Sequence, residues 1–294
     1  MRRRFLEKKK DLILNYKRFF PAGDYTFTIP QGCYEIDLFM VGGGGGGGNG
    51  YTEAGGGGSG YTKTYKKSNE SSGSYNDWVK DGDSIPVMPG QTINIHVGAG
   101  GVGGIRTGGR TPMYGNDGGD TIVTIDGIQY IAEGGKAYHG EKASDGYRQC
   151  ASGGTGATTS GGWGSGHEAG ASFSDGVQPP RRHSTSQYPG ISQGHTTRDF
   201  GEIEFEPNAG GTSGAKGNYG KDLPLRSTGH TEGSGEDGED YDGSSDTYAH
   251  SEGGAGYGGA GGSGGIEERS GYAYGSGKGG KGGDGTVVIR YYNY

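Results

Sequence analysis

The stretch MVGGGGGGGNG, residues 40–50, runs from a strand-like ending straight into seven consecutive glycines: Gly42, Gly43, Gly44, Gly45, Gly46, Gly47 and Gly48. Glycine loses more backbone freedom on folding than any other residue, so such a run is either a slack linker or a segment fixed by a strong outside network. A linker is flanked by featureless polar sequence. Here the preceding CYEIDLFMV alternates like a strand, and the glycine tracts that follow have a period.

In GAGGVGGI the non-glycine residues are Ala99, Val102 and Ile105; in GYGGAGGSGGI they are Tyr257, Ala260, Ser263 and Ile266; KGGKGGD continues with Lys278, Lys281 and Asp284. Each set is spaced by three, the turn length of a polyproline II helix, which has no internal hydrogen bonds. Its backbone groups point outward and need partners. When the residues are glycine, neighbouring helices approach closely enough to bond laterally, as polyglycine II. A side chain at every third position then marks an edge facing away from neighbours. On this reading residues 42–48 are a central rod, about 22 Å long at 3.1 Å per residue, and the periodic tracts are outer rods.

Composition alone argues for low complexity, since glycine supplies 72 of 294 residues against a usual share of about 7%. Against disorder stand 21 tyrosines, eight phenylalanines and two tryptophans, more aromatic surface than a solvated linker carries. Collagen is excluded because the three-residue phase is not maintained and glycine falls short of a third. The net charge of −7 divides into +6 over residues 1–20 and −13 over the remainder. An acidic body argues against nucleic-acid binding. Cys33 and Cys150 are too few for a disulfide scaffold and lack metal spacing. The apolar core Leu12, Ile13 and Leu14 is too short for a secretory signal, and no run has membrane length.

Residues 1–22 read as a basic arm, helical or solvated, and as a docking segment; residues 23–294 read as one glycine-rich domain. YTFTIP and CYEIDLFMV read as two strands joined by a short Pro-Gln-Gly turn, the second with Tyr34, Ile36, Leu38 and Met40 on its core face. IPVMPGQTINIHV turns at Pro89-Gly90 into a strand, DTIVTIDGIQYIAEGG is a hairpin about Asp126-Gly127, and GDGTVVIRYYNY is a closing strand. Polar excursions about residues 60–84, 136–150, 165–208 and 215–252, with a short one near 267–270, lie between glycine tracts. The expected fold is mainly β: an antiparallel β base plus a bundle of polyglycine II helices carrying long polar loops to the opposite end.

Catalytic and metal motifs are weak. Gly98, Gly100 and Gly103 form G-x-G-x-x-G after a strand, but IRTGGRTPMYG follows and offers no helix for a pyrophosphate. GSGKGGKG has glycine where a phosphate loop needs Ser or Thr. The seven histidines are scattered. The acidic segment 232–252 has the charge for calcium but glycines at ligand positions. Glu202, Glu204 and Glu206 alternate in GEIEFEP, a carboxylate set of the kind that cleaves glycosidic bonds, with nothing to pair against. No cofactor or metal is expected. The excursions are instead rich in Tyr, Trp, Ser, Asn and Arg, the composition of adaptable binding surfaces. Candidate contact residues are Tyr65, Tyr75, Trp78, Tyr138, Tyr147, Arg181, Arg182, His183, Tyr188, Tyr241 and Tyr248, with Phe173 and, more as a packing residue, Trp163.

FTIPQGCYEIDLFMVGGGGGGG, PGQTINIHVGAGGVGG and GGDGTVVIRYY resemble three landmarks of the glycine-rich domain of bacteriophage tail-fibre tip adhesins and related phage fibre proteins, and more distantly the glycine-rich region of the anaplastic lymphoma kinase ectodomain. The phage resemblance implies a polyglycine II sandwich whose far-end loops contact a receptor on the bacterial surface, protein or glycan, while the other end caps the fibre. It implies a non-enzymatic virion protein that neither inserts in membranes nor binds nucleic acid. The long charged excursions depart from that pattern. Alternatives are a virion decoration or fibre-linking protein without a receptor, an ice-binding protein, since some of these are polyglycine II bundles, and a glycan depolymerase.

Overall fold

The computed structural model describes residues 12–48, 57–58, 60–67, 81–105, 114–137, 200, 235–236, 247–248, 266–269, 272–276 and 278–293. Its strands are β1 (Ile13–Phe19), β2 (Gly23–Thr28), β3 (Glu35–Val41), β4 (Thr62–Tyr65), β5 (Ile85–Pro86), β6 (Thr92–Val97), β7 (Thr121–Ile125), β8 (Ile128–Ala132), β9 (Thr247–Tyr248), β10 (Ile266–Arg269), β11 (Tyr272–Ser276) and β12 (Thr286–Asn293). The fold is mainly β, and every named strand pair is antiparallel.

Two sheets share one core. The first has the order β1-β12-β3-β4, with β5 also on β3; the second has the order β2-β6-β7-β8. Ile36, Leu38, Met40, Val287 and Ile289 of the first pack against Ile93, Ile95, Val97, Val123 and Ile125 of the second. The second sheet alternates as a half-buried sheet should, since β6 reads exposed, buried, exposed, buried along its length. Two turns follow the sequence reading. Asp126 and Gly127, at φ 49° and 77°, close the β7–β8 hairpin, and Gly90 takes φ 82° in the turn before β6.

Other expectations are corrected. β2 and β3 are consecutive strands but not a hairpin: β2 pairs with β6 and β3 with β12, so the Pro-Gln-Gly turn crosses between sheets. β3 is buried on both faces, because Phe39 and Val41 pack with Val288 and Phe200 on the side away from the shared core. Tyr34, placed on the core face by alternation, precedes the strand and is exposed. The arm is in part a strand, with residues 13–19 pairing along β12 from Phe19↔Val287 to Ile13↔Asn293. The short excursion near 267–270 contains β10, which pairs with β11 and β9. The excursion about 60–84 contains β4, which covers the edge of β3 at Leu38 to Val41.

Six described tracts continue the strands. Residues 42–48 follow β3, residues 98–105 follow β6 and residues 133–137 follow β8; residues 57–58 and 60–61 precede β4, 114–120 lead into β7 and 278–285 into β12. The central tract is buried throughout residues 42–48. Its N–H groups donate in rotation. Gly42 and Gly45 bond to the carbonyls of Tyr61 and Gly58, Gly43 and Gly46 to Gly119 and Asn116, and Gly44 and Gly47 to Gly283 and Gly280, at 2.8–3.0 Å. Its carbonyls accept from two further tracts, Gly44 and Gly47 from Gly101 and Gly104, and Gly43 from Gly135. Partners therefore recur every three residues around five neighbours.

Absence of side chains makes this geometry. Packed sheets stand about 10 Å apart because side chains fill the gap. Past Val41 that filling stops, and backbones from the two sheets come close enough to bond across the layers as well as within them. A Cβ on Gly42, Gly43, Gly45 or Gly46 would run into the carbonyl oxygen of Glu133, Ala99, Lys136 or Val102 respectively. Outer positions tolerate side chains, and Ala99, Val102 and Ile105 form an exposed three-residue stripe. Gly45→Ala is therefore expected to cost on the order of 3 kcal/mol or to prevent folding, whereas Val102→Ala should change stability by under about 0.5 kcal/mol. Thermal unfolding of the two variants beside the parent checks this.

Candidate functional site

The tracts alternate in direction, so positions 48, 57, 105, 114, 137 and 278 all lie at the end of the bundle away from the sheets. The bonds Gly45 to Gly58, Asn116 to Val102 and Gly279 to Gly104 join neighbouring tracts near that end. The segments between these positions leave and return there. Residues 68–80 do not: they leave between β4 and Asp81, where the Asp81 N–H bonds to the Thr64 carbonyl at 2.7 Å and the Lys66 N–H to the Gly82 carbonyl at 3.0 Å. The described residues on either side of that segment, Lys67 and Asp81, thus stand at the edge of the sheets.

Most candidate contact residues, namely Tyr75, Trp78, Tyr138, Tyr147, Arg181, Arg182, His183, Tyr188 and Tyr241, lie outside the described residues, as do Trp163 and Phe173. Tyr248 stands in β9. Tyr65 lies on β4 and packs edge-on against Tyr130, ring centroids 5.0 Å apart, beside the shared core. Burial first, and then the Asp81 carboxylate, push its hydroxyl up to about 12.

Aspartates in the outer stripes fill a role that the sequence reading missed. Among the described residues, an outer tract has donors with no tract beyond them. Asp117 Oδ1 accepts from the Ala137 N–H at 2.7 Å and Asp120 Oδ1 from the Gly134 N–H at 2.8 Å, so two carboxylates three residues apart serve two donors three residues apart. Asp284 likewise accepts from the Gly100 N–H at 2.9 Å and the Ala22 N–H at 3.2 Å, with the Lys281 ammonium 3.3 Å away. Each carboxylate stands where another tract's carbonyl would be. The spacing of three between Asp117 and Asp120, and between Lys281 and Asp284, was the available signal.

Two segments from the excursions return to the body. Phe200 is buried against Phe39, centroids 5.7 Å apart, under the Arg290 guanidinium at 5.4 Å. Arg290 in turn forks onto Asp37 Oδ2, with Nη2 at 2.5 Å and Nε at 2.7 Å, and the Ser84 hydroxyl donates to Asp37 Oδ1. Within the acidic segment, the Glu236 N–H donates to the Lys281 carbonyl at 2.7 Å, so this acid is seated on an outer tract. Nothing in the pattern of either sequence marks these anchors.

The motif glycines are engaged in the scaffold. The Gly98 N–H donates to Thr121 Oγ1 at 2.9 Å, Thr121 in turn donates to the Val41 carbonyl at 2.6 Å, and a Cβ on Gly103 would strike the Gly279 carbonyl. The G-x-G-x-x-G tract is held by protein partners and leads into no described helix. His96 pairs with Asp24 at 2.7 Å on the outer face of the second sheet. Among the described residues no three His, Cys, Asp or Glu side chains come together as a metal site. Glu202, Glu204 and Glu206 lie outside the described residues. Cys33 is buried, and burial raises its thiol above the ordinary range, which keeps it protonated and inert.

A model of a glycine-rich domain family matches residues 20–292. Comparison with curated proteins returned no match.

Two outcomes follow from these contacts. Asp284→Ala should speed amide exchange at Gly100 and cost about 1–3 kcal/mol, the penalty of a part-buried donor left unpaired. Tyr65 holds its proton more tightly when folded, so its contribution is complete below the unfolded value near 10 and is lost as pH rises toward about 12. Tyr65→Phe should therefore flatten the loss of stability between those pH values, measured by denaturant unfolding at each pH.

Proposed function

The chain belongs to the glycine-rich domain family, and from that premise we propose that it is a non-enzymatic bacteriophage adhesin, a receptor-binding protein of a tail fibre or surface appendage of the virion. The tracts are polyglycine II helices, the sheets are the attachment base, and segments leaving the far end contact the host surface. The observation that carries the reading is the rotation of the Gly42 to Gly47 donors through three neighbours in steps of three residues, which is how three-fold helices bond laterally. Such a core is stiff. It fixes the points from which the chain leaves, while the segments between them keep a tyrosine-rich composition suited to recognition.

A second reading, a fibre-linking component without a receptor, is favoured by one feature: β1 puts a basic strand at the edge of the base. The two differ in what they need from the far end. Purified protein is expected to bind cells of the bacterium that the phage infects and to slow phage adsorption. A variant lacking residues 165–195, which spares the Phe200 anchor, should lose both effects while keeping its melting temperature. Failure of the intact protein to bind cells or to compete would overturn the adhesin reading; adsorption unaffected by the deletion would remove that segment from it.

A further inference from the structure

We propose that the outward face of the second sheet binds a neutral oligosaccharide in a groove that crosses all four of its strands. Ile93, Ile95 and Val97 of β6 and Val123 and Ile125 of β7 face the shared core, so the residues between them face away. The register aligns these outward residues in two rows. Thr26, Asn94, Thr124 and Gln129 stand opposite one another across the sheet, and Asp24, His96 and Ile122 form the next row. At about 4.8 Å between strands the first row is roughly 14 Å long, and the second runs about 7 Å from it. Both rows line one groove of about 480 Å³, a volume in the range of small-molecule sites.

The groove exists because its side chains are short. Charged residues make up 21% of the chain, yet the lining holds no lysine, arginine or glutamate to fill the hollow. Ile122 and Thr124 are half-buried while the lining residues of β2 and β6 that flank them are exposed, which makes β7 the floor. The side chains of Thr26, Asn94, Thr124 and Gln129 carry no hydrogen bond among the described residues. Their donors and acceptors are open to a ligand.

The lining selects the ligand class. Two hydroxyls and two amides each both donate and accept, which matches the hydroxyl groups of a sugar, and Ile122 offers an apolar patch for a ring's C–H face. An ion finds little to hold it, because the single carboxylate and the single imidazole already pair, His96 Nδ1 with Asp24 Oδ1 at 2.7 Å. With Nδ1–H donated to that carboxylate, Nε2 is left to accept from a ligand hydroxyl. A nucleobase would need a ring to stack on. Tyr25 does not supply one: its ring packs on Phe19, centroids 5.7 Å apart, and its hydroxyl donates to the Pro21 carbonyl at 2.7 Å. The groove lies on the base, so this inference is independent of what the segments at the far end contact.

The test is a titration of the full, isotope-labelled chain with maltotriose, cellotriose and mannotriose, and with trigalacturonate as the charged counterpart, followed by amide chemical shifts. At least one neutral trisaccharide is expected to shift Thr26, Asn94, Thr124 and Gln129 together. Asn94→Ala and Gln129→Ala should each weaken that binding about tenfold with the melting temperature kept, whereas Val102→Ala should leave it unchanged. Absence of shifts on β2, β6 and β7 with all three neutral sugars would overturn the proposal. Tighter binding of trigalacturonate, or equal binding by the two groove variants, would overturn it as well.

Discussion

Lateral hydrogen bonding between backbones too close to admit a Cβ is the constraint on which this protein depends. Residues 42–48 have no side chains to bury, so their place in the core is secured wholly by N–H and C=O groups bonded to five surrounding tracts. A buried backbone polar group without a partner is costly. In a two-layer β protein the central strand satisfies only two flanks. Here the central tract needs neighbours on every side, and the chain supplies them by continuing its own strands.

The base and the bundle are thus one construction in two regimes. Below Val41 the sheets are held apart by Leu38, Met40, Ile95 and Val123; above it they are drawn together. Thr121 sits at the change, accepting from Gly98 and donating to Val41. At the periphery of the described tracts, Asp117, Asp120 and Asp284 complete the pattern with carboxylates. Ala99, Val102 and Ile105 lie on the exposed side of their tract.

Much of this was legible in the residues because glycine spacing reports directly on which positions are crowded. The three-residue period located the stripe of Ala99, Val102 and Ile105, whereas Tyr257, Ala260 and Ser263 lie outside the described residues and Ile266 stands in β10; the Asp126-Gly127 and Pro89-Gly90 turns located the second sheet. What escaped reading was long-range. Alternation in CYEIDLFMV suggested one buried face, and Val288 and Phe200, both distant in the chain, bury the other. The basic charge of residues 1–20 obscured a strand, because β1 takes its order from pairing with β12 rather than from its own composition. Tyr65 was grouped with contact residues because its neighbours are polar, yet it is packed on Tyr130. The candidate contact segments lie almost wholly outside the described residues, so their chemistry is known from composition and their points of departure from the tracts.

Those points of departure have an evolutionary consequence. Position 48 lies near 57, and 105 near 114, because the tracts they end are bonded to antiparallel neighbours. A segment joining two fixed, adjacent points has a closure entropy that grows only with the logarithm of its length, about 0.6 kcal/mol for each doubling. Insertions, deletions and wholesale exchange between those points therefore cost little in folding, and the joining segments can drift in length and composition while the glycines stay untouched.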